Sequence, residues 1–196
     1  MAVITATQVE LTLDDVNRLA DLIRYELVDG RLVRLEMGLR SRYVATKLVR
    51  LLDYHCDPDG LAHLFSDTGI TCFPGQPNKM RRPDVLCIRA ERLRFEEIPD
   101  GFLAIRPDLV VEVISPNDLV IELEAKLDDY RLAGIPLVWL VFPASRRVRV
   151  IRLDGPPTDL GSDDELTGEK ILPGFRCRVA ELFEGPKPST EPAKGR

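Results

Sequence analysis

The sequence predicts an α/β (α+β) domain in which helices flank a mixed central β-sheet, with a helix and a β-hairpin at the N-terminus. Three runs are almost continuously apolar, as central strands covered on both faces are: PDVLCI at 83–88, LVVEVI at 109–114 and LVWLVF at 137–142. A segment with helix signals separates the last two runs and completes a strand–helix–strand unit. The 196 residues suit one domain with its own hydrophobic core.

The N-terminal elements are a short helix and a hairpin. Thr12 is a typical helix-capping residue, and apolar residues follow it at helical spacing: Leu13, Val16 and Leu19. Next, Asp29-Gly30 separates two strand-like runs, YELV and RLVRLE, which is a strong signal for a two-residue hairpin. Glu26 lies on the first arm of this hairpin.

The second helix is predicted from about residue 40 to residue 57. Its apolar residues fall on one face: Val44, Leu48, Leu51 and Leu52. After the turn at Pro58-Asp59-Gly60, two short runs, LAHLFS at 61–66 and TGITCF at 68–73, are both predicted to be strands.

The third helix is predicted between the last two apolar runs. Asn117 is a suitable cap, and the helix continues through IELEAKLDDYRLA and ends at Gly134. VRVIRL at 148–153 is expected to add an antiparallel strand, and residues 154–170 are expected to form a charged loop. ILPGF and VAELF then pack back on the body, so we expect a single domain over residues 1–184 and a disordered tail over residues 185–196.

The composition favours a globular protein and argues against several classes of protein. With 44% hydrophobic and 30% charged residues the chain should fold, and it lacks both a long apolar span and a signal peptide, so we expect a cytoplasmic protein without a membrane segment. The four scattered cysteines indicate free thiols.

The net charge of −5 does not indicate the overall basic field of most nucleic-acid binders. Three local basic clusters leave room for a positive face. They are Arg40, Arg42, Lys47 and Arg50; Lys79, Arg81 and Arg82; and Arg146, Arg147 and Arg149. Ordinary solvated surface charge is the competing interpretation of each cluster.

Asp84 and Glu112 are the charged residues inside the apolar runs, and they indicate the chemistry. Ionised carboxylates are costly to bury, and two are usually held together by a metal ion, a shared proton or paired cations. Mg²⁺ or Mn²⁺ commonly uses one or two carboxylates and leaves its other positions to water and substrate phosphate. The pair therefore predicts a Mg²⁺ or Mn²⁺ site that cleaves phosphodiester bonds.

Lys126 is the candidate cation beside this pair. It lies on the helix that leaves the strand of Glu112, so that one helix face can fold back over the strand ends, packed by Leu123, Leu127 and Tyr130. A cation in this place can orient or help to deprotonate the attacking water and stabilise charge on the phosphate oxygens.

Several stretches are similar, in sequence and in order, to the Uma-type restriction endonuclease family, a branch of the PD-(D/E)XK nuclease superfamily. The main ones are RRPDVLCI, DLVVEVISPND and KLDDYRLAGIPLVWLV, and YELVDGRLV, DTGI and LPGFRCRVAELF add to them. Each motif is weak alone, but their ordered sum is specific and covers roughly residues 12 to 185. The resemblance implies a restriction endonuclease-like fold that acts on DNA.

The resemblance also assigns roles to residues. Asp84 matches the Asp of the Pro-Asp motif and Glu112 matches the second acidic residue, which implies that both bind the divalent metal. The usual superfamily lysine would stand at Ile114, whereas Lys126 matches branches in which the lysine lies on the following helix. Glu26 matches the acidic residue of the family's Tyr-Glu-Leu motif. This residue would bind either a second metal ion or a water molecule.

One position departs from the family. A histidine often opens its second helix, but GLRSRYVA offers only Arg42 and Tyr43 there. Any role of that histidine is absent or replaced, which bears on activity rather than on fold.

Each candidate also has a purely structural interpretation. Asp84 would end a turn after Pro83 or pair with Arg81 or Arg82, and Lys126 would form a surface helix pair with Glu122. Glu112 would need a buried partner, and Glu26 would be an ordinary exposed residue of a hairpin arm. Zinc is disfavoured because the histidines and cysteines are badly spaced for ligands, and Trp139 is interpreted as core packing.

Three functions from different classes remain. The first is a metal-dependent endonuclease that hydrolyses DNA, with Asp84 and Glu112 as metal ligands and Lys126 assisting the water. The second is a catalytically inactive nucleic-acid-binding or partner-binding module on the same fold, and the third is a phosphoesterase for RNA or a small substrate. A homodimer would suit cutting of both DNA strands, although nothing in the sequence indicates an interface.

Overall fold

The computed structural model describes residues 10–18, 25–116 and 118–186. In chain order the elements are α1 (Leu13–Arg18), β1 (Tyr25–Val28), β2 (Arg31–Arg34), α2 (Leu39–Cys56), β3 (Ala62–Ser66), β4 (Val85–Arg89), β5 (Leu109–Val113), α3 (Val120–Leu132), β6 (Leu137–Phe142), β7 (Arg147–Arg152), β8 (Thr158–Leu160), β9 (Glu165–Thr167) and β10 (Arg176–Arg178). Strands β3 to β8 form the central sheet in sequence order. Only β5 and β6 are parallel, so the predicted mixed sheet is confirmed.

The central sheet has an apolar core on each face. On one face, Val111 of β5 and Trp139 of β6 pack with Leu48 and the other buried residues of α2. On the opposite face, Val110 packs with Tyr130 of α3. Because side chains alternate along a strand, the two covered faces explain why these strands are almost continuously apolar.

The hairpin forms at the predicted place. Asp29 and Gly30 have φ angles of 49° and 72°, and a type I′ turn requires positive φ at both central residues. Leu27 exchanges two backbone hydrogen bonds with Met80, at 3.0 and 2.8 Å. This pairing ties β1 to the segment that enters β4, and it brings Glu26 towards the end of the central sheet.

The helices agree closely with the sequence prediction. Thr12 and Asp15 cap α1 reciprocally, since the Asp15 N–H donates to Thr12 Oγ1 and the Thr12 N–H donates to Asp15 Oδ2. The second helix was expected over about residues 40–57 and is found as α2. The third helix begins at Val120 with Leu119 in the cap position, whereas Asn117, its predicted cap, lies outside the described residues.

Two predictions about local structure were wrong. TGITCF is not a strand: Ile70 alone forms bridges, to Arg81 and Leu103, and the chain turns at Pro74 and Gly75. Residues 154–170 are not a plain loop, because they contain β8 and β9. These strands were not predicted because the segment is rich in charged residues, which are typical of loops. In β8 such a residue stabilises the strand, since Asp159 Oδ1 lies 2.7 Å from Arg149 Nε on the neighbouring strand. Most of the predicted tail, residues 187–196, lies outside the described residues.

Several side chains away from the sheet end have structural roles. The four cysteines are free, and Trp139 is fully buried against Phe175, as predicted. The ring nitrogens Nε2 of His55 and His63 lie 3.0 and 2.9 Å from the carbonyl oxygens of Pro173 and Leu93. No helix within the described ranges combines the length and apolar character that crossing a membrane requires.

Candidate active site

A cleft of about 500 Å³ opens where the hairpin, the start of α2, the end of β5 and the first half of α3 meet. All four residues that the sequence analysis selected line this cleft: Glu26, Asp84, Glu112 and Lys126. They come from four separate segments of the chain, so only the tertiary fold brings them together.

Asp84 and Glu112 face each other across two neighbouring strands. Val85 of β4 pairs with Val111 of β5 in an antiparallel register, which sets the preceding Asp84 opposite Glu112. Alternation along both strands points the two side chains to the face that α3 covers. Asp84 stands immediately before β4 rather than inside it, and the backbone N–H of Val113 donates to its Oδ2 at 2.6 Å.

The surroundings of Asp84 disfavour its charged form. Burial is the main cause that raises the pKa of Asp84 well above its ordinary value, and the negative charge of Glu112 raises it further. The Val113 hydrogen bond and the charge of Lys126 act in the opposite direction without overcoming this. The site therefore favours any bound group that adds positive charge next to Asp84.

Glu112 is 5% exposed and has two partners on α3. The Tyr130 hydroxyl donates to Oε1, and Lys126 Nζ lies 3.5 and 3.3 Å from Oε1 and Oε2. Burial still raises the pKa of Glu112, although Lys126 counteracts it. Glu112 thus has the buried partners that a structural carboxylate requires, but it shares the lysine with a second carboxylate.

That second carboxylate is Glu26. Lys126 Nζ lies 3.0 Å from Glu26 Oε1 and 3.3 Å from Glu112 Oε2, so the ammonium bridges the hairpin and the central sheet. Burial acts to lower the pKa of Lys126, but the charges of Glu112 and Glu26 outweigh it and raise the pKa. Lys126 is consequently a protonated hydrogen-bond donor, and its ion pairs differ from the surface pair with Glu122 that was the structural alternative.

Glu26 is almost fully buried, at 1% exposure, and both of its carboxylate oxygens accept hydrogen bonds. Oε1 accepts from the Arg82 backbone N–H at 3.0 Å as well as from Lys126, and Oε2 accepts from Arg81 Nη1 at 2.9 Å. The interpretation of Glu26 as an ordinary exposed residue of a hairpin arm is therefore wrong. Its geometry suits an anchor for Lys126 better than a ligand for a second metal.

A network of buried polar side chains lies behind the site and was not predicted from the sequence. Lys79, Arg81 and Arg82 are buried, so the second basic cluster is not part of a positive surface. Arg81 pairs with Glu26 and Asp129 rather than with Asp84, and Lys79 Nζ lies 2.6 Å from Asp129 Oδ1. One sequence pattern could have indicated that Asp129 belongs to this network. Asp129 follows Lys126 by three positions, so both residues lie on the same face of the helix.

The pair of carboxylates fits Mg²⁺ or Mn²⁺ by its donor chemistry. Hard oxygen donors suit these cations, which commonly take one or two protein carboxylates and fill the remaining positions with water and phosphate. Across the described ranges no set of three or more His, Cys, Asp and Glu side chains is grouped to hold a metal ion, so the candidate rests on two protein ligands. Added positive charge would offset the repulsion between Asp84 and Glu112.

Sequence comparison places the chain in a known family. The Uma2 family, described as "Putative restriction endonuclease", matches residues 13–180. The chain belongs to this family. The match extends from α1 to the 3₁₀ turn after β10 and includes every residue of the site. No curated protein matches the chain by sequence.

Structure comparison gives the same fold. A crystal structure described as a "putative nuclease belonging to DUF820", from Anabaena variabilis, superposes with a TM-score of 0.76 at 20% sequence identity. The match covers 88% of this chain and 97% of that chain. The restriction endonuclease-like architecture predicted from the sequence is thus confirmed as a nuclease-type fold.

Proposed function

We propose that the protein is a metal-dependent endonuclease of the PD-(D/E)XK type that hydrolyses DNA phosphodiester bonds. Asp84 and Glu112 would bind Mg²⁺ or Mn²⁺, Lys126 would assist the attacking water, and Glu26 would hold Lys126. The observation that carries the proposal is the meeting of two facing carboxylates and a buried lysine in one cleft, in a chain of this family. We also propose one domain over residues 1–184, a cytoplasmic location and a homodimer that cuts both strands.

The charge state of Lys126 limits what it does in the reaction. A bound divalent cation lowers the pKa of its water and offsets charge on the phosphate. Lys126 is held protonated between two carboxylates, so it donates hydrogen bonds to the water or to a phosphate oxygen and does not remove the proton of the water. Of the three roles expected for Lys126 from the sequence, orientation of the water and stabilisation of phosphate charge are favoured over proton removal.

Arginines at the mouth of the cleft support a polyanionic substrate. Arg34 and Arg42 line the cleft and are exposed, and Arg42 and Tyr43 are the residues at the start of α2, where the family often has histidine. However, seven carboxylates and five cationic side chains line the cleft, so its protein charge does not by itself attract phosphate. DNA should therefore bind in this cleft more tightly when a divalent cation is present.

Plasmid cleavage in Mg²⁺ or Mn²⁺ tests the proposal. Asp84→Ala and Lys126→Ala should keep the fold and fail to cut, because one removes a metal ligand and the other removes the cation beside it. Lys170→Ala, at an exposed position, and Asp128→Ala, on the outer side of α3, are matched controls that should cut like the parent. Equal cleavage by the Asp84 and Lys126 variants and the parent would refute the site assignment.

An inactive nucleic-acid-binding module is the second candidate function. The start of α2 favours it, because Arg42 and Tyr43 stand there instead of a histidine, and an arginine can bind phosphate but is a poor proton acceptor. DNA retention that falls with salt, without any cleavage in Mg²⁺ or Mn²⁺, would support this candidate. Cleavage of RNA or a small phosphodiester in place of DNA would instead identify a phosphoesterase.

A further inference from the structure

Helix α3 buries two residues, Asp129 and Tyr130, and both carry polar groups. A helix that packs on a sheet usually buries an apolar stripe, and burying polar groups is costly unless they are hydrogen-bonded. Both side chains point towards the site and form hydrogen bonds there. Their burial therefore needs an explanation beyond packing.

The Tyr130 hydroxyl contacts one oxygen of the Glu112 carboxylate. Tyr130 is 1% exposed, its ring belongs to the core beneath α3, and its hydroxyl donates to Glu112 Oε1. The terminal torsion of a glutamate has broad minima, so the carboxylate can turn unless a donor fixes it. With Oε1 held by Tyr130, Oε2 stays towards Lys126.

Arg81 connects Asp129 to Glu26. Arg81 Nε and Nη2 lie 2.7 and 2.6 Å from Asp129 Oδ2, and Lys79 Nζ fixes Oδ1 at 2.6 Å. The remaining Nη1 of the planar guanidinium donates to Glu26 Oε2 at 2.9 Å. Since a guanidinium is rigid, fixing one side of it fixes the other, and Glu26 in turn holds Lys126.

We propose that Asp129 and Tyr130 are positioning residues, each of which orients one of the two carboxylates that hold Lys126. Tyr130 acts on Glu112 directly, and Asp129 acts on Glu26 through Arg81. Together they would keep Glu112 turned towards Asp84, ready for a divalent cation. The inference rests on the proposed function in one respect, namely that this cation is bound by Asp84 and Glu112.

The test is Mn²⁺ affinity in the absence of DNA, measured by electron paramagnetic resonance and by calorimetry. Tyr130→Phe removes a single hydroxyl and keeps the ring, and it should weaken Mn²⁺ binding by about 10–100-fold, as loss of a group that orients a ligand does. Tyr54→Phe, at an 84% exposed tyrosine of α2, is the matched control and should bind like the parent.

The second variant, Asp129→Asn, should have a smaller effect on Mn²⁺ affinity, because Glu26 and Lys126 lie between Asp129 and the ligands. It should lower the rate of DNA cleavage at saturating Mn²⁺ more than it changes the KM for DNA. Asp128→Asn, the exposed neighbour on the same helix, is its control. If Asp129→Asn does not fold, the charge-balanced Lys79→Met/Asp129→Asn variant replaces it.

Each outcome bears on a separate claim. If the parent binds Mn²⁺ and Tyr130→Phe binds it equally well, the positioning role of Tyr130 is overturned while the proposed function stands. Normal cleavage by a folded Asp129 variant would overturn the role of Asp129 in the same way. A parent that neither binds Mn²⁺ nor cuts DNA would overturn the proposed function and this inference with it.

Discussion

Strand β5 has a buried carboxylate at each end, and the two ends are balanced differently. Asp108, immediately before the strand, is 1% exposed. Arg92 Nη1 lies 2.8 Å and Arg89 Nε 3.5 Å from its Oδ1, and the Arg89 backbone N–H donates to Oδ2 at 2.9 Å. One carboxylate thus has two guanidinium groups and a backbone donor.

At the other end, carboxylates outnumber the cations that they contact. Glu112 shares Lys126 with Glu26, and Asp84 has its hydrogen bond from the Val113 backbone rather than from a cation. Removing one partner of a fully paired buried charge destabilises a fold, whereas unbalanced buried charge of one sign is costly in itself and is typical of functional sites. From this difference we propose that Asp108 has a structural role and that Asp84 and Glu112 have a functional one.

The largest expected effect separates Asp84 from Asp108. Asp84→Asn should lower the rate of DNA cleavage by at least about 10²-fold. It should also raise the free energy of unfolding without metal by about 0.5–2 kcal/mol, because it removes repulsion with Glu112. Asp108→Asn should cut DNA normally and lose about 1–3 kcal/mol of stability, because two arginines lose a charged partner. Initial rates of plasmid nicking and urea denaturation measure both quantities.

The opposite result for the two variants would contradict these assignments of Asp84 and Asp108. If Asp108→Asn abolished cleavage in a folded protein, or if Asp84→Asn lost stability and kept activity, the assignment of the two ends would be wrong.

A second prediction concerns pH. Because the pKa of Asp84 is raised in the folded chain above its ordinary value of 3.8, the folded state binds this proton more tightly than the unfolded state. Its contribution to stability is complete below pH 3.8 and is lost as the pH rises through the folded pKa. In EDTA, the parent should thus lose stability relative to Asp84→Asn as the pH rises above about 4 and through the raised pKa of Asp84.

Thermal unfolding of both proteins across this pH range measures the difference in Tm. Saturating Mn²⁺ should abolish it by stabilising the ionised carboxylates of the parent. A difference in Tm that did not change with pH would show that Asp84 is not perturbed by burial and by Glu112.

The smallest expected effect concerns the mouth of the cleft. Arg42→Ala should weaken DNA binding several-fold and lower the slope of log Kd against log salt by about 1, since it removes one phosphate contact. Arg176→Ala, in the β9–β10 hairpin, should leave the slope unchanged. Equal slopes for the parent and Arg42→Ala, in fluorescence anisotropy with Ca²⁺ in place of Mg²⁺, would remove Arg42 from the DNA-binding surface.

Much of the fold followed from local patterns. Asp29-Gly30 determines the hairpin because the turn needs two positive φ angles. The almost continuously apolar runs around Glu112 and Trp139 indicate strands covered on both faces. The position of Asp84 and Glu112 was predictable for a related reason. A carboxylate in an apolar run would be buried and therefore needs a hydrogen-bonding or charged partner, so its presence in the sequence indicates a special role.

The remaining features depend on contacts between distant segments. Lys79 and Arg81 looked like surface charge because their partner, Asp129, lies about 50 residues further on. Strand β8 was missed because an ion pair, rather than alternating apolar residues, holds its edge. Neither pairing leaves a periodic signal, since it depends on which elements meet in the folded chain.

The most direct test of the central claim is a crystal structure of the chain soaked in Mn²⁺, recorded with anomalous scattering. The account predicts an anomalous peak between the carboxylates of Asp84 and Glu112, and no such peak in crystals of Asp84→Asn. A cleavage-competent parent with no peak there, or with the cation bound elsewhere, would contradict the claim that these facing carboxylates hold the catalytic metal.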